Sequence, residues 1–231
     1  MFRGLRSKKI FAVHLTYILF QVSPTIALKL TFIFYMSSTE PAQDIARVYR
    51  FLSQCMQYPD AEWTNDDFFN VLYNLLGTLG AIDEGVEIKK AIDNADDALE
   101  DLQVEYTRLF INGMPHVIAP PFGSVYMDQS LQGAFAGDTL AFYKSKGFGM
   151  EEDADLPDHI IHELEFLSLL AEENDFAGEE EFLKKLFRPW FRKFLIRVRE
   201  GAHHPYYRVV VQLIDFFTKE EDKDGFQPNE A

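Results

Sequence analysis

From about residue 40 onward, apolar residues recur every three to four positions, the period of a helix with one buried face. Between Glu40 and Tyr58 they fall at Ile45, Val48, Tyr49, Leu52 and Met56. Pro41 suits a first turn and Pro59 a stop. Thr64-x-x-Asp67 resembles a capping box and predicts a second helix, with Phe68, Leu72, Leu75, Leu76 and Leu79 inward and Gly80 at its end. A third is expected over residues 95–110, burying Leu99, Leu102, Tyr106, Leu109 and Phe110.

Residues 112–123 break the pattern with three prolines and two glycines, a loop apolar enough to pack or to bind. A helix over 138–146 ends at Gly147, and the acidic run 151–155 reads as a solvated linker. Asp155 is the expected cap of the next helix, with Pro157 near its first turn and Ile160, Ile161, Leu164, Leu167 and Leu170 inward. Further helices are predicted over 179–187, 189–199 and 206–218, and the charged tail from Lys219 is expected to fray. Residues 36–231 show no sustained period-2 alternation, repeat or low-complexity tract. The fold expected is all-α, a single-domain bundle of roughly eight or more helices.

The first 35 residues differ in kind. They hold Arg3, Arg6, Lys8, Lys9 and Lys29 and no acid. A basic start, the apolar run 10–20 and then Thr25-Ile26-Ala27 have the layout of a secretory signal. Pro24 and Lys29 interrupt the apolar run expected of a membrane span. Met36-Ser-Ser-Thr-Glu-Pro, followed by a regular amphipathic helix, reads instead as the start of a cytosolic protein. Residues 1–35 would then be upstream sequence; a signal or anchor and a structural extension are the other readings.

Charge sharpens the division. The whole chain has 37 Asp+Glu against 22 Lys+Arg, a net −15; without the five leader bases the remainder carries −20. That balance argues against nucleic acid and favours a basic partner. Length and a 47% hydrophobic content suit one domain with a real core. Cys55 is the chain's single cysteine, which excludes an internal disulfide and a cysteine-based metal site.

Candidate chemistry is sparse. His159, His162 and Glu163 are the best metal candidates, but neither zincin order is present, and a polar helix face accounts for them more simply. Glu200-x-x-His203 has the spacing of a di-iron helix without its required second copy. No phosphate loop or partnered nucleophile appears, so no catalytic residue, metal or cofactor is assigned. What remains is a binding pattern: Tyr106, Leu109 and Phe110 end one helix, Pro120, Pro121, Phe122 and Tyr126 follow across the loop, and Asp158 and His159 open another helix. Rigid aromatics and prolines beside a loop can form a groove, and core packing is the plainer role for each aromatic alone.

Five stretches in order carry a family resemblance: Glu105-Tyr-Thr-Arg-Leu-Phe110, Ala119-Pro-Pro-Phe-Gly-Ser-Val-Tyr126, Leu156-Pro-Asp-His-Ile160 with Glu163-Leu-Glu-Phe-Leu167, Phe187-Arg-Pro-Trp190 and His204-Pro-Tyr-Tyr-Arg208. Over about residues 40–218 the chain resembles the TorD/DmsD family of redox-enzyme maturation chaperones. The resemblance implies an all-helical cytoplasmic protein, a non-enzyme. It would bind the twin-arginine signal peptide and apo form of a molybdopterin oxidoreductase, of the dimethyl-sulfoxide or trimethylamine-N-oxide reductase type, until its cofactor is inserted. Monomers and domain-swapped dimers both fit, and no stable membrane association is implied. The implied binding surface is Tyr106, Leu109, Phe110, Pro121, Phe122, Tyr126, Asp158 and His159, with Asp158 as the arginine contact and His159 adding a hydrogen bond or a pH response near neutrality. Several relatives carry tryptophan where this chain has Tyr106 and Phe122. The leader departs from the family pattern, and a start at Met36 reconciles the two.

Overall fold

The apolar stripes close into helices that the computed structural model describes for residues 41–113, 116–150 and 155–219. In chain order these are α1 (Pro41–Cys55), α2 (Asp66–Thr78), α3 (Ile82–Asn94), α4 (Ala98–Tyr106), α5 (Gly123–Met127), α6 (Ala134–Ser145), α7 (Ile160–Glu172), α8 (Phe176–Phe182), α9 (Arg188–Gly201) and α10 (Pro205–Thr218). No strand occurs among the described residues, only an isolated antiparallel bridge between Phe122 and His159. The all-α expectation holds. The leader and the tail beyond Lys219 lie outside the described residues, as do 114–115 and 151–154.

The buried apolar residues form one core that runs from α1 to α10. α1 packs along α7, and α9 along α10. α10 is apolar on nearly every side and is buried accordingly, from Tyr206 and Tyr207 through Val209, Val210, Val211, Leu213 and Ile214. Phe187, Trp190, Phe191 and Phe194 supply the fully buried face of the α9 segment. Side chains of this size contribute about 1.5–3 kcal/mol each when removed from water, so this face weighs heavily in the fold.

Two π-helical turns extend the α-helices. Thr107–Ile111 continues α4, with Asn112 N–H reaching Thr107 carbonyl at 2.7 Å. Leu183–Phe187 joins α8 to α9, which restarts with Pro189 in its first turn, where a missing N–H costs least.

Several local expectations change. α3 was not expected: Ile82 and Val86 are exposed, so its buried face, Glu84 and Ile88, shows little hydrophobic signal. The short α5 begins inside what reads as loop. Asn65, not Thr64, caps α2, accepting from Phe68 N–H at 3.1 Å. Asp155 does not cap α7; His159 does, its Nδ1 accepting from Ile161 N–H at 3.2 Å. The reason is tertiary: residues 156–159 run beside the loop before the helix can begin. His204 likewise caps the N-terminus of α10, its Nδ1 accepting from Tyr206 N–H at 3.2 Å.

Candidate functional site

The loop that breaks the helical pattern is fixed at both ends. Ala119 N–H bonds to Leu109 carbonyl at 2.9 Å, tying the loop to the π turn. At its far end Gly123 N–H bonds to Asp158 carbonyl and Ile160 N–H to Pro121 carbonyl, both at 2.9 Å. These two bonds make the Phe122–His159 bridge. The Phe122 ring meets the His159 imidazole edge-on, centroids 4.7 Å apart. Pro121 is buried, while Pro120 and Phe122 keep part of their surface in solvent.

Asp158 is fully buried, and its Oδ2 accepts from Ser124 N–H at 2.6 Å. The carboxylate thus holds the first turn of α5 and does not lie at the surface. Five residues on, Glu163 is also fully buried, and Trp190 Nε1 donates to its Oε2 at 2.9 Å. Ser124 Oγ, Asp158 Oδ1 and Glu163 Oε1 have no hydrogen-bond partner among the described residues. Burial pushes the Glu163 carboxyl well above its usual range, and nearby Asp158 pushes the same way against the indole bond. Burial takes His159 down to about 4, so its imidazole is neutral near pH 7 and its cap intact. The expectation that His159 responds to pH near neutrality is therefore corrected: its titration lies well below.

Tyr106, Leu109, Phe110 and Tyr126 are buried core residues. Tyr106 donates its hydroxyl to Met56 carbonyl at 3.2 Å and meets Phe110 edge-on at 4.9 Å. Phe110 stacks on Phe194, and Tyr126 stacks on Trp190 with the Arg197 guanidinium 5.0 Å from its ring. Of the expected surface set, Phe122 is the aromatic left partly exposed beside the loop; the others form the wall behind it. His159, His162 and Glu163 do not converge: His159 caps α7, Glu163 turns to Trp190, and His162 Nδ1 lies 3.4 Å from Glu165 Oε2.

A second ordering centre is Glu105. It accepts from Arg108 Nε and Nη2 at 2.8 and 2.9 Å and from the backbone N–H groups of His203 and His204 at 2.5 and 3.1 Å. Arg108 Nη2 also donates to Gly201 carbonyl at 2.6 Å. Burial opposes ionisation of Glu105, but the Arg108 and backbone hydrogen bonds outweigh it and hold the carboxyl below its usual value. Sequence reasoning assigned no role to Glu105, Trp190 or Glu165. The i,i+3 spacing of Glu105 and Arg108 was a usable signal for the first; nothing local marks Trp190 as the partner of Glu163.

A family model described as nitrate reductase delta subunit, of the TorD/NarJ chaperone type, matches residues 79–195, just over half of the chain. The chain belongs to this family. The matched span holds Glu105 and Arg108, the latched loop, Asp158, His159, Glu163 and Trp190; it leaves out α1, α2, α10, the end of α9 and the His203 and His204 partners of Glu105. The TorD-type fold is shared with a crystal structure from Archaeoglobus fulgidus described as a redox enzyme maturation protein. That likeness has a TM-score of 0.54 and 28% identity, over 79% of this chain and 96% of that one. Family and fold together mark the protein as a redox-enzyme maturation chaperone. Among the described residues no helix is long and apolar enough to cross a membrane.

Proposed function

We propose that this TorD-type chaperone acts in the cytoplasm and binds the twin-arginine signal peptide of a molybdopterin oxidoreductase precursor until cofactor insertion is complete. The supporting observation is the loop at 116–122, pinned to the start of α7 by the Phe122–His159 bridge and presenting Phe122 and Pro120 beside the N-terminal end of α7. A preformed apolar edge has little ordering entropy left to lose on binding. A body of net −20 attracts the arginines, and the loop shelters the apolar stretch that follows them. Tyr106, Leu109, Phe110, Pro121, Tyr126, Asp158 and His159 act from behind, by holding the loop where Phe122 can be used.

Calorimetric titration of the full chain with signal peptides tests this. Peptides from dimethyl-sulfoxide-reductase-type and nitrate-reductase-type precursors are each compared with a Lys-Lys version. Arginine-dependent binding at micromolar affinity, about −8 kcal/mol, is expected for one of them, with Phe122→Ala weakening it about tenfold. Absence of binding to every such peptide would reject the signal-peptide reading and leave the family membership standing.

A further inference from the structure

We propose that the cleft between α1 and α7 receives the guanidinium of an arginine-bearing peptide, with Glu165 accepting its charge. The inference rests on the signal-peptide reading and places its arginine end. The cleft is an open one of about 380 Å³, lined by Arg50, Ser53, Gln57, Glu165, Ser168 and Leu169.

The donor and acceptor inventory points to a cation. Ser53 Oγ donates to Ile161 carbonyl at 3.2 Å, and Ser168 Oγ to Glu165 carbonyl at 2.6 Å. Both hydroxyl protons are committed, which leaves the oxygens as acceptors. The Gln57 side chain adds an amide that can turn its carbonyl toward a donor or its NH2 toward an acceptor. The Glu165 carboxylate is 48% exposed, and its contact is His162 at 3.4 Å. Other acids of α7, α8 and the turn between them already hold a full cation: Glu172 has Arg50, Asp175 has Lys146 and Glu181 has Lys185, each at 2.7 Å. Arg50 is thus taken by Glu172, and among the described residues Glu165 is the carboxylate at the cleft with neither a lysine nor an arginine paired to it. One charged acceptor among several neutral ones matches the five N–H donors of a planar guanidinium better than the three of an ammonium.

A row of side-chain contacts leads from the cleft's Glu165 toward the loop. Glu165 touches His162, the His162 and His159 rings lie 6.0 Å apart, and His159 meets Phe122 at 4.7 Å. Six helical residues separate His159 from Glu165, a rise of about 9 Å. An extended peptide covers that in about three residues. An arginine at Glu165 therefore sets an apolar residue about three positions away against Phe122.

The experiment titrates full-length wild type, Glu165→Gln and Glu100→Gln with an Arg-Arg signal peptide and its Lys-Lys version. Glu100 is an exposed acid on α4 that controls for loss of one charge. Glu165→Gln is expected to weaken the Arg-Arg peptide about tenfold and to erase the preference over Lys-Lys, while Glu100→Gln stays within about twofold of wild type. If wild type binds the Arg-Arg peptide and Glu165→Gln keeps both affinity and preference, the cleft assignment is overturned and the chaperone reading survives. If wild type binds neither this peptide nor any of the precursor peptides above, both fall together.

Discussion

Trp190 donates its indole N–H to Glu163 Oε2 at 2.9 Å, with both side chains fully buried and no basic side chain in the bond. An acid placed so holds a proton that the unfolded chain releases near its ordinary 4.5. Above that pH the unfolded state binds fewer protons than the folded one, so stability falls as pH rises toward the raised folded value. The slope is up to about 1.4 kcal/mol per pH unit. Glu163→Gln is expected to flatten this fall and to gain on wild type as pH rises, read from urea melts at pH 5 to 9. Glu163→Ala leaves the indole N–H buried and unpaired, at a cost of about 1–3 kcal/mol.

The two histidine caps act in the opposite direction. Burial lowers the pKa of His159 to about 4 and also lowers that of His204, and each Nδ1 accepts a backbone N–H only when unprotonated. Their stability is fully present above the unfolded value of 6.5 and is lost as pH falls, for His159 through about 4. His159 alone accounts for on the order of 2–3 kcal/mol over that window. His159→Asn keeps an acceptor without the proton, and its melting temperature should vary less between pH 6.5 and 4. His159→Ala should lose about 1 kcal/mol at pH 7.

How much of this was legible in the sequence depends on where each residue's partner sits. α10 and α7 show themselves because their apolar periods coincide with what they bury. α3 hides because its apolar residues split between two faces: Ile82 and Val86 face water, while Ile88 and Ile92 pack on the core. Asp158 reads as a surface acid in a first turn, but its partner is Ser124, 34 residues away, and that contact takes it inside. Tyr106, Leu109, Phe110 and Tyr126 read equally as groove or core, because burial of one aromatic is decided by others, such as Phe194, Tyr207 and Trp190, that no local pattern connects to them.

Glu105 should be intolerant of change. It satisfies Arg108 and two backbone N–H groups at once, and it is 6% exposed. Glu105→Ala strands the two backbone N–H groups and leaves Arg108 its bond to Gly201 carbonyl without a counter-charge, and a loss of about 3 kcal/mol is expected in chemical denaturation. Arg108→Lys should recover little of the bidentate geometry in the wild-type background and cost more than an exposed Arg-to-Lys change.

Gly123 marks where the loop becomes α5. A Cβ there would meet the Phe135 ring and come within 3.0 Å of Trp190 Cδ1. Gly123→Ala is expected to cost about 1–3 kcal/mol through overpacking. It should also weaken peptide binding by more than an alanine on the exposed face of α3, because the displaced residue adjoins Phe122.

The buried Glu105 staple between α4 and the α9–α10 connection has a chemical consequence beyond stability. Cys55, the chain's single cysteine, is fully buried, and burial raises its thiol well above the ordinary value. With thiolate suppressed and long-range ties made by a carboxylate, the fold has no bond that a thiol–disulfide couple could make or break. A protein that handles redox enzymes thus keeps its shape while the electron balance around it swings from reducing to oxidising.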